Sequence, residues 1–331
     1  MELPGNAIEF NDRFNSEEAC LEFLKELRWP NGFVCPNCGH DDGYFLSCRP
    51  LVQCVLCRHQ TSVTAGTLFH KTHAPLRVWF YIIREVASDK GGASSSRLAS
   101  VLGMPQKTIW NMLHKIRHAM GRRDENITLA GFIEMDEAII GPHCRRHSGA
   151  RATPSPTGPE TSTEPDPQKP KQKGRGRPRK NGPNPKTQTP VLVLVEQEPQ
   201  HAGFVAMKVL DRIARNDILE FVEQRVDECQ HIKTDGWLSH HVLRTFNCTY
   251  EAVVCSGADG CTELPIVHRT ISLLKNFLMG TYWGVSVKYL HSYLQEFSFR
   301  FNRRDTHHPL WLSLLRACVF GLPCSYAELK L

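Results

Sequence analysis

Apolar positions in the first third of the chain recur at helical spacing. Residues 14–28 (FNSEEACLEFLKELR) predict a short amphipathic helix, capped by Asn15 or Ser16 with acids in its first turn. A longer apolar helix opens at Pro75, runs through PLRVWFYIIREVAS and ends at Gly91-Gly92. Ser96 to Leu102 and the stretch from Gln106 to Leu113 read as two further helices with Gly103 in the turn. The pattern then changes. GFIEMDEAIIG, PVLVLVEQ and GFVAMKVL read as three strands, and NDILEFVEQRVDEC as a helix. HIKTD, WLSHHVLRTF and EAVVCS read as strand, helix and strand, and two helices, at about 265–278 and 286–302, close the chain. Three strands, helix, strand, helix, strand and helices fit a mixed α/β sheet with helices packed on it.

Two stretches break these patterns. Residues 30–66 are rich in Cys, Gly and turn residues, as small metal-held domains are. Residues 150–190 hold Pro, Thr, Ser, Gly and Lys with almost no large apolar side chain, so they are expected to be disordered, interrupting the sheet. The expected organisation is 1–70 for an N-terminal helix and the metal-held region, and 71–125 for a helical region with a helix-turn-helix. The sheet domain follows at 126–305, with 306–331 as a tail.

Composition sharpens the picture at three points. There is no run of 18 apolar residues and no basic, apolar leader, so neither a membrane span nor a secretion signal is expected. The expected location is cytoplasmic, at the nucleoid in a bacterium or nuclear in a eukaryote. Thirteen cysteines without a secretion signal argue against a disulfide framework. The net charge of +6 is concentrated: seven basic residues and no acid lie between Lys169 and Lys180, which leaves −1 for the rest. Broad attraction to DNA therefore rests on that segment.

The cysteines give the sharpest local chemistry. Cys35-Pro-Asn-Cys38 and Cys54-Val-Leu-Cys57 are two C-x2-C knuckles separated by 15 residues, enough for a hairpin. Each knuckle offers two thiolates to one tetrahedral Zn²⁺, with His40 and Cys48 as lesser alternatives. Gly39 and Arg58 stand where the chain must fold back over the metal.

Ala99, Gly103 and Ile109 have the spacing of a helix-turn-helix. Gln106, Lys107, Thr108 and Asn111 would then face DNA, with His114, Lys115, Arg117 and His118 extending the polar face. In the basic segment, KGRGRPRK with Arg175, Arg177 and Arg179 resembles an AT-hook or serves as a non-specific phosphate contact. Asp136 at the end of one strand and Asp235 after another are a carboxylate pair able to share Mg²⁺ or Mn²⁺ ions.

These motifs together resemble the ISXO-like group of bacterial insertion-sequence transposases, of the DDE, RNase H-like type with an N-terminal zinc ribbon, related to Merlin elements. The residues that carry the resemblance are the ribbon, Ala65-Gly66-Thr67-Leu68-Phe69, Pro75-Leu76 with Trp79, and the helix-turn-helix. Met135-Asp136-Glu137, Thr234-Asp235-Gly236, Gly280-Thr281-Tyr282, Gly284-Val285-Ser286 and Phe299 to Arg304 complete the set. The resemblance implies an RNase H-like sheet and a catalytic set of Asp136, Asp235, a third ligand and Lys275. The third position is His268, where many family members carry Glu. His268 and Lys275, seven residues apart, share a helix face. The expected activity is cleavage and strand transfer at the ends of a mobile element, by a homo-oligomer using two Mg²⁺ or Mn²⁺ ions. The alternative is a transposase-derived DNA-binding protein without catalysis, which His268 favours.

Overall fold

The computed structural model describes residues 3–46, 50–141, 188–199, 201–253 and 263–330. Asn6 caps α1 (Ala7–Arg13), a helix the sequence pattern did not suggest, and Ser16 caps α2 (Glu17–Arg28) through the Ala19 N–H. A three-stranded antiparallel sheet follows: β1 (Gly43–Phe45), β2 (Leu51–Cys54) and β3 (Gln60–Ser62). Next come α3 (Leu76–Ser88), begun by Pro75, then α4 (Ser95–Leu102) and α5 (Gln106–Asp124). Between α4 and α5, Gly103 has φ +61° and the Met104 N–H closes onto the Ala99 carbonyl, the turn expected of a helix-turn-helix.

The second half is a five-stranded sheet. It comprises β4 (Phe132–Ile140), β5 (Thr189–Gln197), β6 (Ala202–Val209), β7 (His231–Thr234) and β8 (Thr249–Ala252). Their order is β6-β5-β4-β7-β8; β4, β5 and β6 pair antiparallel, and β4, β7 and β8 pair parallel. With helices on both faces, this is the mixed sheet that the element order implied and the RNase H-like arrangement that the resemblance implied. α6 (Arg215–Arg225) covers one face; α7 (Pro265–Gly280) and α8 (Val287–Phe301) cover the other. β5 explains why both layers form. Val191, Val193 and Val195 point into the α7–α8 side, and Leu192 and Leu194 into the α6 side, so its apolar run is buried on both faces.

Four expectations change. α6 ends at Arg225 rather than Cys229, because Val226 turns extended and bridges to Leu129. WLSHHVLRTF forms only a 3-10 turn, His240–Thr245. β8 begins at Thr249, and residues 254–256 of the expected strand lie outside the described residues, as does the basic insert with Arg175, Arg177 and Arg179. Last, the stretch 306–331 is more than a tail. Leu310–Phe320 forms α9, apolar on nearly every side, and such a helix must be buried. It inserts into the N-terminal helical core, with Trp311 5.2 Å from Phe10 and 6.0 Å from Phe14 and Phe23. The Leu68 N–H donates to the Cys318 carbonyl.

The expected polar face of α5 is also narrower. α8 packs along α5 and buries two of its residues, His114 (1% exposed) and Arg117 (2%). Arg117 Nε pairs with Glu296 at 2.7 Å, and its charge faces the ring of Tyr293 at 4.2 Å. His114 lies among Trp110, Tyr289 and Tyr293, at 3.9, 5.2 and 5.6 Å, with neither ring nitrogen hydrogen bonded within the protein.

Burial, helped by the Arg117 charge, brings the His114 pKa down to about 3 from its ordinary 6.5. A depressed folded-state pKa means the neutral ring stabilises the fold fully above pH 6.5. That stability is lost as pH falls toward 3, by up to about 1.4 kcal/mol per pH unit. His114→Phe, which keeps a ring in the aromatic cluster, is expected to flatten the acid limb of the stability profile. Urea unfolding midpoints between pH 7 and pH 4 measure this, and an unchanged slope would rule out a buried neutral His114.

Candidate active site and zinc ribbon

The ribbon is built from two matching turns. In the first, the Cys35 N–H donates to the His40 carbonyl and the Gly39 N–H to the Cys35 carbonyl. In the second, Cys54 and Arg58 make the same two bonds, to His59 and Cys54. Gly39 and Arg58 hold φ +73° and +59°, as their positions after the knuckles required. Pairing of β1 with β2 joins the two turns. The Sγ atoms of Cys35, Cys38, Cys54 and Cys57 all lie within 4.8 Å of one another, with Cys35–Cys57 and Cys38–Cys54 each at 3.6 Å. A tetrahedral Zn–S distance of about 2.3 Å gives sulfur separations of about 3.8 Å, so the four thiols fit Zn²⁺. His40 is not in the cluster, and Cys48 lies outside the described residues.

The acidic site lies where β4 and β7 part. Their parallel register runs from Phe132↔His231 to Met135↔Thr234, so the next residues are Asp136 on β4 and Asp235 just past the end of β7. Asp136 is therefore mid-strand in β4, not at its end, because β5 pairs with all of β4 while β7 stops short. On the same pleat face as Asp136, buried Glu134 accepts N–H bonds from Ile266 and Val267 at 2.9 and 2.8 Å. These are the otherwise unpaired donors at the start of α7, and their capture fixes that helix against β4. One residue further along, His268 brings Nε2 to 3.1 Å from Asp136 Oδ2. Lys275 is exposed on the same helix and makes no ion pair among the described residues.

Two residues to which the sequence reading gave no role complete the site. His240 is fully buried, with Nε2 2.6 Å from Glu137 Oε1 and Nδ1 3.0 Å from Asp235 Oδ1. The second contact is a charge contact, off the line of a good hydrogen bond. Burial alone would lower the His240 pKa, but Asp235 and Glu137 outweigh it and raise it to about 9. Burial would likewise raise Asp235. The close His240 contact, the Trp237 N–H bond and the His240 charge prevail and hold it below the usual carboxylate range. Asp136 behaves oppositely. Burial, with the charges of Glu137 and Asp235, pushes it up to about 6 despite the Glu137 N–H bond and His268. A carboxyl so crowded by negative charge favours a cation. The sequence held a signal for both residues, since Glu137 adjoins Asp136 and His240 follows Asp235 by five. Nothing in the spacing joined them.

On the helix-turn-helix, Gln106 and Lys107 are exposed, while Thr108, Asn111 and Lys115 are half-buried. Asn111 turns its Oδ1 inward, where it is buried without a hydrogen bond in the protein. The chain's own C terminus shares this side of α5. A 3-10 turn at Glu328–Lys330 packs against the helix, and Lys107 lies 5.9 Å from the ring of Tyr326. No helix among the described residues is long and apolar enough to cross a membrane.

Known proteins resemble the chain in both halves. Residues 15–60 match a transposase zinc-ribbon domain, and residues 128–302 match the ISXO2-like transposase domain. The uncharacterized protein in transposable element ISH50 of Halobacterium salinarum is 24% identical over 130 residues, covering 38% of this chain and 43% of that relative. The match thus spans less than half the relative's length. Two solved structures align at low similarity. A pre-cleavage Mos1 transpososome has 13% identity and a TM-score of 0.22 over 71% of this chain and 77% of the other. The Mos1 mariner paired end complex with Mn has 11% identity and a TM-score of 0.21 over 73% and 79%. The transposase-domain match covers more than half of the chain and holds Asp136, Asp235, His268 and Lys275. The chain belongs to the ISXO2-like transposase family.

Proposed function

We propose that this transposase binds the terminal inverted repeats of a mobile element and carries out metal-dependent strand cleavage and strand transfer there. The observation that carries the reading is the meeting of Asp136 and Asp235 where β4 and β7 part, with His268 Nε2 3.1 Å from Asp136. Two carboxylates and an imidazole suit divalent ions of the Mg²⁺ and Mn²⁺ type, with the nitrogen favouring Mn²⁺. Such ions, when bound, neutralise charge at the scissile phosphate and activate a water or 3′-hydroxyl.

The remaining roles fall to the chain's own side chains. His240 holds Asp235 in place from behind, and Glu134 sets α7 so that His268 faces Asp136. Lys275, about 10 Å further along α7, offers an exposed cation to a DNA phosphate. Gln106, Lys107, Thr108, Asn111 and Lys115 would contact the element end. Arg175, Arg177 and Arg179 would add affinity without choosing the sequence. Work on two ends calls for at least two chains. One observation favours a second reading, a DNA-binding protein without catalysis: the third ligand position holds His268 instead of an acid.

Strand cleavage of labelled element-end DNA, titrated with Mg²⁺ and with Mn²⁺, separates the two readings. Asp136→Asn and Asp235→Asn are expected to lower cleavage on the order of a thousandfold while end binding stays within about threefold. His240→Ala should cost about ten- to a hundredfold, as loss of a residue that orients a ligand does. His268→Glu should raise the Mg²⁺-dependent rate, and His268→Ala should lower the rate with either ion. Full activity in His268→Ala would remove the histidine from the ligand set. No cleavage by the unaltered protein with either metal would favour the binding-only reading.

Purified protein is further expected to hold one Zn²⁺ per chain through Cys35, Cys38, Cys54 and Cys57. The ribbon has little apolar core, so metal binding of about 10–16 kcal/mol would be coupled to its folding. Metal analysis should give one zinc, lost together with end binding in a Cys54→Ser, Cys57→Ser double variant. Retention of both zinc and binding would sink the assignment.

A further inference from the structure

Trp237 stands two residues after Asp235 and is 52% exposed, and Leu238 beside it is 67% exposed. Large apolar side chains at the rim of a charged site bury little in the folded chain, so their exposure there needs a different account. The backbone beneath them is fixed. Gly236 holds φ +73°, which reverses the chain directly after the carboxylate. The Trp237 N–H donates to Asp235 Oδ1 at 3.1 Å, and its carbonyl accepts from the His240 N–H at 2.9 Å. His240 is itself locked between Asp235 and Glu137. The turn cannot move the Trp237 backbone without releasing Asp235. The indole therefore projects from a rigid mount at the edge of the acidic site, the only tryptophan among the described residues bonded through its backbone to one of the site's carboxylates.

We infer that Trp237, backed by Leu238, stacks on a nucleobase next to the scissile phosphate and holds it out of its base pair while the strand is cut. This rests on the proposed DNA-cleaving function. A phosphate brought to Asp136 and Asp235 carries its sugars and bases with it, and a base beside that phosphate comes to the rim where the indole stands. An aromatic face fixed at the rim accepts any base, because every base has a π-face, and it offsets the lost stacking in the duplex. Leu238 adds an apolar wedge against the remaining stack. No covalent step is assigned to either residue.

The test uses the full chain with Mn²⁺ and duplexes carrying the terminal repeats that flank its coding sequence. The cleaved phosphate is mapped first with the unaltered protein. Trp237→Ala is expected to slow cleavage of the fully paired end by about tenfold or more, and Trp237→Phe by no more than about threefold. A mismatch at the base pair flanking the cleaved phosphate should restore Trp237→Ala to within about threefold of the unaltered protein, since the base is then already unpaired. A merely structural role would not respond to the mismatch. Zinc content and end binding equal to those of the unaltered protein verify that the variants are folded. Cleavage of paired ends by Trp237→Ala at the normal rate overturns the inference, and so does a slowed variant that the mismatch fails to rescue. Absence of cleavage by the unaltered protein would overturn the proposed function and this inference with it. Failure of the tryptophan variants alone leaves the proposed function standing.

Discussion

The parallel pairing of β4 with β7 is the constraint on which the site depends. Asp136 and Asp235 are 99 residues apart in the chain, and they become neighbours because Met135 pairs with Thr234 and each aspartate directly follows one of that pair. A one-residue slip of β7 would turn Asp235 to the opposite side of the sheet. The register is held by burial on both faces. Ile133, Met135 and Ile232 lock into the α6 layer, while Glu134 captures the start of α7 on the other side. β4 thus carries three acids with three tasks. Glu134 places a helix, Asp136 faces His268, and Glu137 anchors the histidine behind Asp235.

A second constraint joins the helical half to the sheet half. Arg117 of α5 and Glu296 of α8 form a nearly fully buried ion pair, and Tyr282 hydrogen bonds to both. Desolvation of the two charges offsets much of their attraction, so such a pair adds little net stability. Removing one partner would still cost about 3–5 kcal/mol by stranding the other. Its consequence is geometric: it admits one alignment of α5 along α8, and so ties the helix-turn-helix to the domain that carries the aspartates. Tyr282 also explains Gly92. A Cβ there would overlap the Tyr282 hydroxyl, so the glycine in the turn after α3 makes room for this network.

The C terminus closes the helical core from the far end of the chain. α9 meets α2, α3 and α5, and its Trp311 enters an aromatic cluster with Phe10, Phe14 and Phe23. The helical core is therefore made from both ends of the sequence, with the sheet inserted between them. The last residues return along α5, where they share the side on which Lys107 and Lys115 lie.

The sequence by itself determined everything that depends on near neighbours. The knuckle spacing of Cys35, Cys38, Cys54 and Cys57, the Gly103 turn, the runs of β4 and β5, and the seven-residue step from His268 to Lys275 are all local, and local sterics and periodicity decide them. It also marked Asp136 and Asp235, through motifs around each, but not the contact between them. Tertiary structure alone decided that contact. It also decided that Glu134 caps α7, that His240 bridges Glu137 and Asp235, that Arg117 and His114 are interior, and that α9 belongs to the N-terminal core. Each of these pairs residues from separate elements. A polar side chain reads the same in sequence whether it faces water or a buried partner; only the packing of α8 on α5, or of α7 on β4, settles which.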